Sequence, residues 1–406
     1  MIPITLIFLT LAVRAETLSE DEAVRRALAV SPTLAASRVN VEAVRIAPST
    51  LRSPELRVAG YDDTADSALP DFRRNNVGLR WTPPRLSELG LPSAVAKTRA
   101  EVAAGNTASE ENRLAAEVRL LHRSVRLSDE QIRVADENVR IHREIVDAVT
   151  EQVVAGVRTA LDRSRAELEL ASARAAAGRL RSDRRIQLLR LCQKLGVPFS
   201  DDLRLGGTVD LLQFPSHANL VELSRAAEGA RSEISVAVGG VRLAELRLSA
   251  VRRDRYPSFS FFQITRQSDR SELSSRWGFQ VGIDLNFFHW RSPDERAASL
   301  ELRQSQLRER AVRVFVNAEV EEITARLAAA AQELAAAATQ VENLAHQVEI
   351  ARAQLAAGQS DKTEPLAIEV RVLAARQVWL LKLVDCHALA IGFDQATGRS
   401  ARVLGA

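Results

Sequence analysis

Two stretches of this chain, residues 114–153 and 316–355, carry the same apolar seam at a constant shift of 202 positions. The first runs Leu114, Val118, Leu121, Val125, Ser128, Ile132, Ala135, Val139, His142, Val146, Val149 and Val153. The second runs Val316, Val320, Ile323, Leu327, Ala330, Leu334, Ala337, Val341, Leu344, Val348, Ala351 and Leu355. Steps of four and three alternate without a break, giving the period of about 3.5 residues that belongs to a left-handed coiled coil. A chain of 406 residues is therefore one long-helix unit written twice. Fold and function both have to account for the doubling.

Loops are scarce, with 18 Gly and 13 Pro in the whole chain, so helices must be long. Each copy shows the same order of parts: helix, strand pair, very long helix, glycine turn, helix. In the first copy a helix over 21–47 opens at Ser19-Glu20-Asp21-Glu22, which has the form of a capping box. Strands follow at 54–61 and 75–82, then a helix from about Ser93 to Ala155, a break at Gly156, and a helix from about Thr159 to Leu195. The second copy repeats this with a helix over 219–253, strands at 257–266 and 276–287, a helix over 293–357, Gly358, and a helix over 362–395. The domain reading is thus a first repeat at 16–196, a connector at 197–217 holding Gly206, Gly207 and Pro215, and a second repeat at 218–406. A helix of roughly 63 residues is ~95 Å long, and the two shorter helices of each copy sum to nearly that length. Each chain would present four rods of matching height.

The aromatic residues have gone to the strands. Of 18 Phe, Trp and Tyr, 12 lie within residues 61–81 and 256–290. Segment 277–287 alternates Trp277, Phe279, Val281, Ile283, Leu285 and Phe287 against Gly278, Gln280, Gly282, Asp284 and Asn286. Segment 77–82 sets Val77, Leu79 and Trp81 against Gly78, Arg80 and Thr82. This is period two with one apolar side and one small, hydrated side, over the length a tilted strand needs to cross a membrane. The expectation is lipid on the apolar side and a water-filled lumen on the other. Four strands cannot close a barrel, and open edges are not tolerated in lipid, so the chain must oligomerise. Eight strands from two chains would have a filled interior, whereas twelve from three leave a channel; the sequence favours more than two copies.

The segment MIPITLIFLTLAVRA, residues 1–15, reads as an export signal: its apolar run is too short to span a bilayer and it ends on Val13-Arg14-Ala15. No later stretch is long and apolar enough for a transmembrane helix. Cys192 and Cys386 fall on non-equivalent repeat positions and are read as separate helix-face residues. Lys+Arg 55 nearly balances Asp+Glu 52, with no basic stripe interleaved with aromatics, so nucleic acid is not an expected partner.

The ordered set of parts resembles the TolC-like outer membrane efflux factors, from about residue 18 to 398. Segment 23–44, AVRRALAVSPTLAASRVNVEAV, is similar to the family's first helix, and 220–257, ending in Pro257, to its second-copy counterpart. The strand entries VGLRW (77–81) and VGIDL (281–285) correspond. The hairpin motif, a glycine followed by Thr, an acid and an Arg-Ala helix, stands as GVRTALDRSRAEL at 156–168 and in degenerate form as GQSDKTEPLAIEV at 358–370. The resemblance implies a homotrimer, mainly α with a small β part: a trimeric α-barrel tunnel across the periplasm continuing a 12-stranded β-barrel in the outer membrane of a Gram-negative bacterium. It implies a periplasmic membrane-fusion adaptor and an inner-membrane pump as partners. It also explains the doubling, since two copies times three chains give near six-fold symmetry. The adaptor itself, or a structural coiled-coil protein, are the rival readings; paired amphipathic strands and two hairpins speak against both.

No catalytic constellation stands in the chain. The six His (122, 142, 217, 289, 346 and 387) are scattered without ligand spacing, and no nucleophile elbow or phosphate loop is present, so no enzyme activity, metal or cofactor is expected. The chemistry would be gating and conduction. Acids just past the glycine turns, Asp162, Asp361 and Glu364, are candidates for rings of carboxylate at the tunnel end, with helix capping as the competing reading. Gly156, Val157, Arg158 and Thr159, with Gly358, Gln359 and Ser360, are the expected adaptor-docking tips, with Arg158 supplying a charge-assisted contact.

Overall fold

The structure, a computed structural model, describes residues 17–46, 53–62, 73–85, 90–201, 203–206, 220–254, 256–269, 275–284 and 293–399. The expected export signal at 1–15 lies outside them, as do residues 202 and 207–217 of the connector. The first copy runs α1 (Glu20–Val30), α2 (Pro32–Arg45), β1 (Glu55–Asp62), β2 (Arg73–Trp81), α3 (Leu91–Val154) and α4 (Ala160–Leu195). The second runs α5 (Leu220–Ala230), α6 (Ser232–Arg253), β3 (Ser258–Asp269), β4 (Ser275–Asp284), α7 (Pro293–Ala356) and α8 (Thr363–Ala396). The long helices α3 and α7 are each 64 residues and start 202 positions apart. Every position of both seams is buried or half-buried, which is the reason a 3.5-residue pattern is held over such a length.

Both long helices end in the same way. Gly156 and Gly358 take φ of +74° and +71°, and the amides of Val157 and Gln359 donate to the carbonyls of Gln152 and Gln354, each at 2.9 Å. That bond satisfies a carbonyl orphaned at the helix end, and the left-handed residue it requires is glycine in both copies.

Where one continuous helix is expected over 21–47 and another over 219–253, the structure has two in each place. Pro32 pushes the residue before it out of the helical region, and Ser31 stands at φ −61°, ψ 117°. In the second copy the break falls at Arg231, which has no proline after it. Its buried guanidinium instead reaches the Gln395 carbonyl at 3.1 Å and Glu319 at 2.9 Å. The breaks make room for helix ends. Gly196 and Gly398, at φ +64° and +70°, close α4 and α8; a Cβ on Gly196 would stand 2.4 Å from Val30, and one on Gly398 2.9 Å from Ala230.

The chain divides into two compact units that cut across the repeats. One comprises the chain up to Leu34, Ser109–Arg231 and Phe315 onward. In it α3 packs on α4 through Val125, Leu188 and Cys192, and on α8 through Val134, Ile141, Leu373 and Leu380. Leu334 of α7 joins Leu383 and Cys386 of α8 together with Leu127. The four longest helices of this unit therefore stand in the order α4, α3, α8, α7, with α4 and α7 at the two ends of that row. Those two carry exposed apolar side chains: Leu168, Ile186 and Leu189 on α4, Phe315 and Ile350 on α7. Helix α1 is fastened to α3 by Arg123, whose guanidinium donates to Glu20 at 2.7 and 2.9 Å, and by His122 against the Leu18 carbonyl at 3.0 Å. Both cysteines are buried and free.

The other unit comprises Ala35–Ala108 and Ser232–Val314. Within it α6 lies against the start of α3, where Gly239 lets Val102 approach, and ion pairs Arg247–Glu301 and Arg252–Glu295 join α6 to the start of α7. Its sheet is antiparallel throughout in the order β1-β2-β3-β4, so the hairpins of the two copies pair through β2 and β3.

Candidate membrane sheet and hairpin tips

Register places most of the large apolar residues of the four strands on one face. Leu56, Leu79, Ile264 and Phe279 form one rung; Val58, Val77, Arg266 and Trp277 form another; Trp81, Phe262 and Val281 a third; and Phe259 sits opposite Ile283. Every apolar member of this face is exposed, up to 77% for Phe279 and 71% for Leu56 and Val58. Trp81 stacks on Phe262 at 5.9 Å, and Arg266 lies over the Trp277 ring at 5.8 Å. In water such a continuous surface would drive association, so its exposure in a single chain demands a covering of lipid or protein. Leu285 and Phe287, the last two positions of the expected lipid-facing series, lie outside the described residues.

The opposite face is small and polar: Gly78, Gly278 and Gly282 with Arg57, Arg80, Gln263, Thr265 and Gln280. One register shift, between Phe259 and Phe261, interrupts the alternation. Sequence periodicity does not show it, because Phe259, Phe261 and Phe262 are all aromatic and either register reads as a strand. Among the described residues, the outer edges of β1 and β4 have no strand beside them. No helix among those residues is long and apolar enough to cross a membrane.

The hairpin turns bring residues of both copies together. Asp361 accepts from Gln152 Nε2 at 2.7 Å on both carboxylate oxygens, from Thr363 Oγ1 at 2.8 Å and from Arg158 at 3.4 Å. Arg158 also donates to Thr363 Oγ1 at 2.9 Å. Burial pushes the Asp361 carboxyl up, but the hydrogen bonds from Thr363, Gln152 and the Lys362 backbone, with the Arg158 charge, outweigh it and hold it below the ordinary value. Arg158, expected to supply a charge-assisted contact to an adaptor, also makes a contact within the chain, to the exposed carboxylate of Asp361. Gln152 lies outside the hairpin motifs, and Thr363, though part of the second, has its contact with Arg158 205 positions away, as Gln152 has its own with Asp361 209 away, so neither contact is readable from sequence.

The three candidate acids occupy different settings. Asp162 closes a capping box: it accepts from the Thr159 amide at 3.0 Å and hydroxyl at 2.7 Å, while its own amide donates to that hydroxyl at 3.3 Å. The hydroxyl bond first, then the amide bond, hold its pKa below the usual carboxylate value. Asp361 is taken up by the network between the turns. Glu364 stands exposed in the first turn of α8, whose N-cap position, Lys362, makes no side-chain cap. At the tips Gly156, Val157, Thr159, Gly358 and Gln359 are exposed, while Ser360 is half-buried with an unpartnered hydroxyl. His142 is packed in the seam with Glu169 at 3.9 Å.

Solved structures of membrane proteins share this fold. CusC, described in terms of transmembrane channel formation, superposes with a TM-score of 0.73 at 20% identity, over 93% of this chain and 92% of that one. A membrane protein from Pseudomonas aeruginosa gives 0.76 at 17% identity, over 95% and 92%. The open state of the MtrE outer membrane channel from Neisseria gonorrhoeae gives 0.73 at 17% identity, over 95% and 92%. No curated protein matches the chain. At these identities the likeness establishes the fold. The family profile for outer membrane efflux protein matches residues 91–197 and 223–386, taking in both long hairpins, and the chain therefore belongs to the outer membrane efflux protein family.

Proposed function

We propose that the protein is the exit duct of a tripartite efflux or secretion system, a homotrimer that passively conducts what an inner-membrane pump and a periplasmic adaptor deliver. The observation that carries this reading is the sheet: four antiparallel strands, apolar and exposed on one face, small and polar on the other, with both outer strands open. Three such sheets closing β4 of one chain onto β1 of the next make a 12-stranded barrel, wide enough for a lumen and free of edges. The exposed apolar side chains of α4 and α7 support the same assembly, since these helices stand at the two ends of their row and would face those of neighbouring chains. Such a barrel belongs in the outer membrane of a Gram-negative bacterium, with the helices reaching into the periplasm. The hairpin tips would meet the adaptor, and Asp162, Asp361 and Glu364 would stand near the tunnel end.

Oligomeric mass in mild detergent tests the assembly. Extracted without heating, the protein should be a trimer that dissociates on boiling, and it should open ion-conducting pores in planar lipid bilayers. A monodisperse monomer or dimer without pore activity would overturn the reading.

A further inference from the structure

The polar face of the sheet contains one device that its alternation does not require. Ser260 is the extra residue of the β3–β4 bulge, and by occupying that place it moves Phe261 off the apolar face onto the polar one. There it stands on a face built mostly from Gly, Thr, Gln and charge. Directly across, Gly282 keeps the space open: a Cβ at that position would stand 2.4 Å from both Phe261 Cε1 and Ser260 Oγ. The Arg80 guanidinium then lies on the Phe261 ring, 3.8 Å from its centroid.

Charge pairing makes this arrangement informative. Glu55 faces Arg80 in the β1–β2 register, the natural place for a cross-strand ion pair. Its carboxylate instead approaches Arg57 on its own strand, at 3.7 Å. Arg80 has no carboxylate partner among the described residues, and a guanidinium held by its flat face keeps its edge N–H donors for another group. A planar fork of donors on an aromatic platform suits an oxyanion, which accepts from that fork in bidentate fashion.

We propose that Arg80, seated on Phe261, is an anion-recognition point on the lumenal wall of the barrel, and that the duct favours solutes carrying carboxylate or phosphate groups. The proposal rests on the duct reading above, which makes the polar face the lumen; a trimer would then carry three such arginines in a ring.

Ion selectivity of the reconstituted trimer in a potassium chloride gradient tests it, with citrate as the oxyanion probe. Arg80→Gln should move the reversal potential toward that of potassium and relieve block by citrate. Phe261→Leu should move it the same way with the charge still present, because Arg80 without its platform falls back on Glu55. Glu55→Gln should move it toward chloride. An unchanged reversal potential and citrate block in Arg80→Gln pores of normal conductance would overturn the proposal. Should Arg80→Gln fail to assemble, Phe261→Leu and Glu55→Gln pores that match the wild type would overturn it equally. A wild-type protein that forms no pores overturns the duct reading itself, an outcome distinct from pores whose selectivity ignores Arg80.

Discussion

Placing an arginine on the apolar face of β4 should prevent barrel assembly by an amount set by depth. A tilted strand advances about 2.6 Å in depth per residue, from a rise of ~3.4 Å and a tilt of ~40°. The alternation expected from the sequence between Trp277 and Phe287, taken as one tilted strand, would cover ~26 Å, the height of an outer-membrane apolar band, with its middle between Val281 and Ile283. Ile283 is 54% exposed, so its replacement creates no cavity, and the cost is that of the charge in lipid. Ile283→Arg should cost about 2–4 kcal/mol per chain, and ~6–12 kcal/mol in a trimer that carries it three times. Phe279→Arg, about 8 Å off the middle, should cost about 1–2 kcal/mol, and Trp277→Arg, near the rim beside Arg266, no more than ~1 kcal/mol. Gln280→Arg, on the polar face, should be accepted. The measurement is the yield of heat-labile trimer in outer-membrane fractions, with urea titration of the refolded protein in lipid. Equal losses from Gln280→Arg and Ile283→Arg, or a loss that does not grade from Ile283 to Trp277, would refute the orientation.

The seam is tested by Leu334→Asp, which puts a carboxylate against Leu127, Leu383 and Cys386 with no partner and should cost at least the ~2–5 kcal/mol of a large-to-small core change; Glu333→Ala, losing only the exposed pair with Lys382, should cost under ~1 kcal/mol, and equal resistance to limited proteolysis would contradict the register. Arg158→Glu should set like charge against Asp361 and open the turn network, raising protease cleavage at residues 358–363 and abolishing export while trimer levels hold; unaltered cleavage would show that the turns are independent. His387 is buried, and burial first, then the Arg123 charge against the opposing pull of Glu20, lowers its pKa to about 4 from 6.5. Stability is therefore full above pH ~6.5 and falls as pH drops toward 4, by up to about 3 kcal/mol, because the unfolded chain takes the proton first; His387→Gln should remove that slope in thermal denaturation across pH 7 to 4.

Much of this architecture is local and therefore legible. The seams of α3 and α7 announce themselves because heptad periodicity is carried within each helix, and Gly156 and Gly358 mark the turns because only glycine readily takes the positive φ that both show. The break at Ser31 is written in Pro32, but the one at Arg231 is not. It depends on Glu319 and the Gln395 carbonyl, 88 and 164 positions away. The strands are legible by alternation, while the bulge at Ser260 is masked by aromatics on either side of it. Of the candidate site, which residues stand at the turns is readable; that Asp361 is held by Gln152 and Arg158 is a property of two segments meeting across the repeats.

That meeting makes the two copies unequal in a way the backbone conceals. In the first turn Thr159 and Asp162 cap α4 from within, and the turn displays Val154, Val157 and Leu161 at 85%, 75% and 59% exposure. At a shift of 202 the second turn has Ala356, Gln359 and Thr363, and it leaves α8 without a side-chain cap. Its acid Asp361 accepts both from Thr363 of its own turn and from Gln152 and Arg158 of the first copy. The second turn thus shares its side-chain bonds with the first copy, whereas the first caps its following helix from within. In the proposed trimer the backbone would repeat six times around the axis while the chemistry of the tips repeats only three times. A ring of identical adaptor hairpins would then meet two kinds of site, an apolar one that is capped from within and a polar one whose side-chain bonds are shared between the copies. Apolar burial would favour contact at the first kind. Rearrangement would cost less at the second, since releasing Asp361 from Gln152 and Arg158 breaks exposed hydrogen bonds and leaves every helix intact.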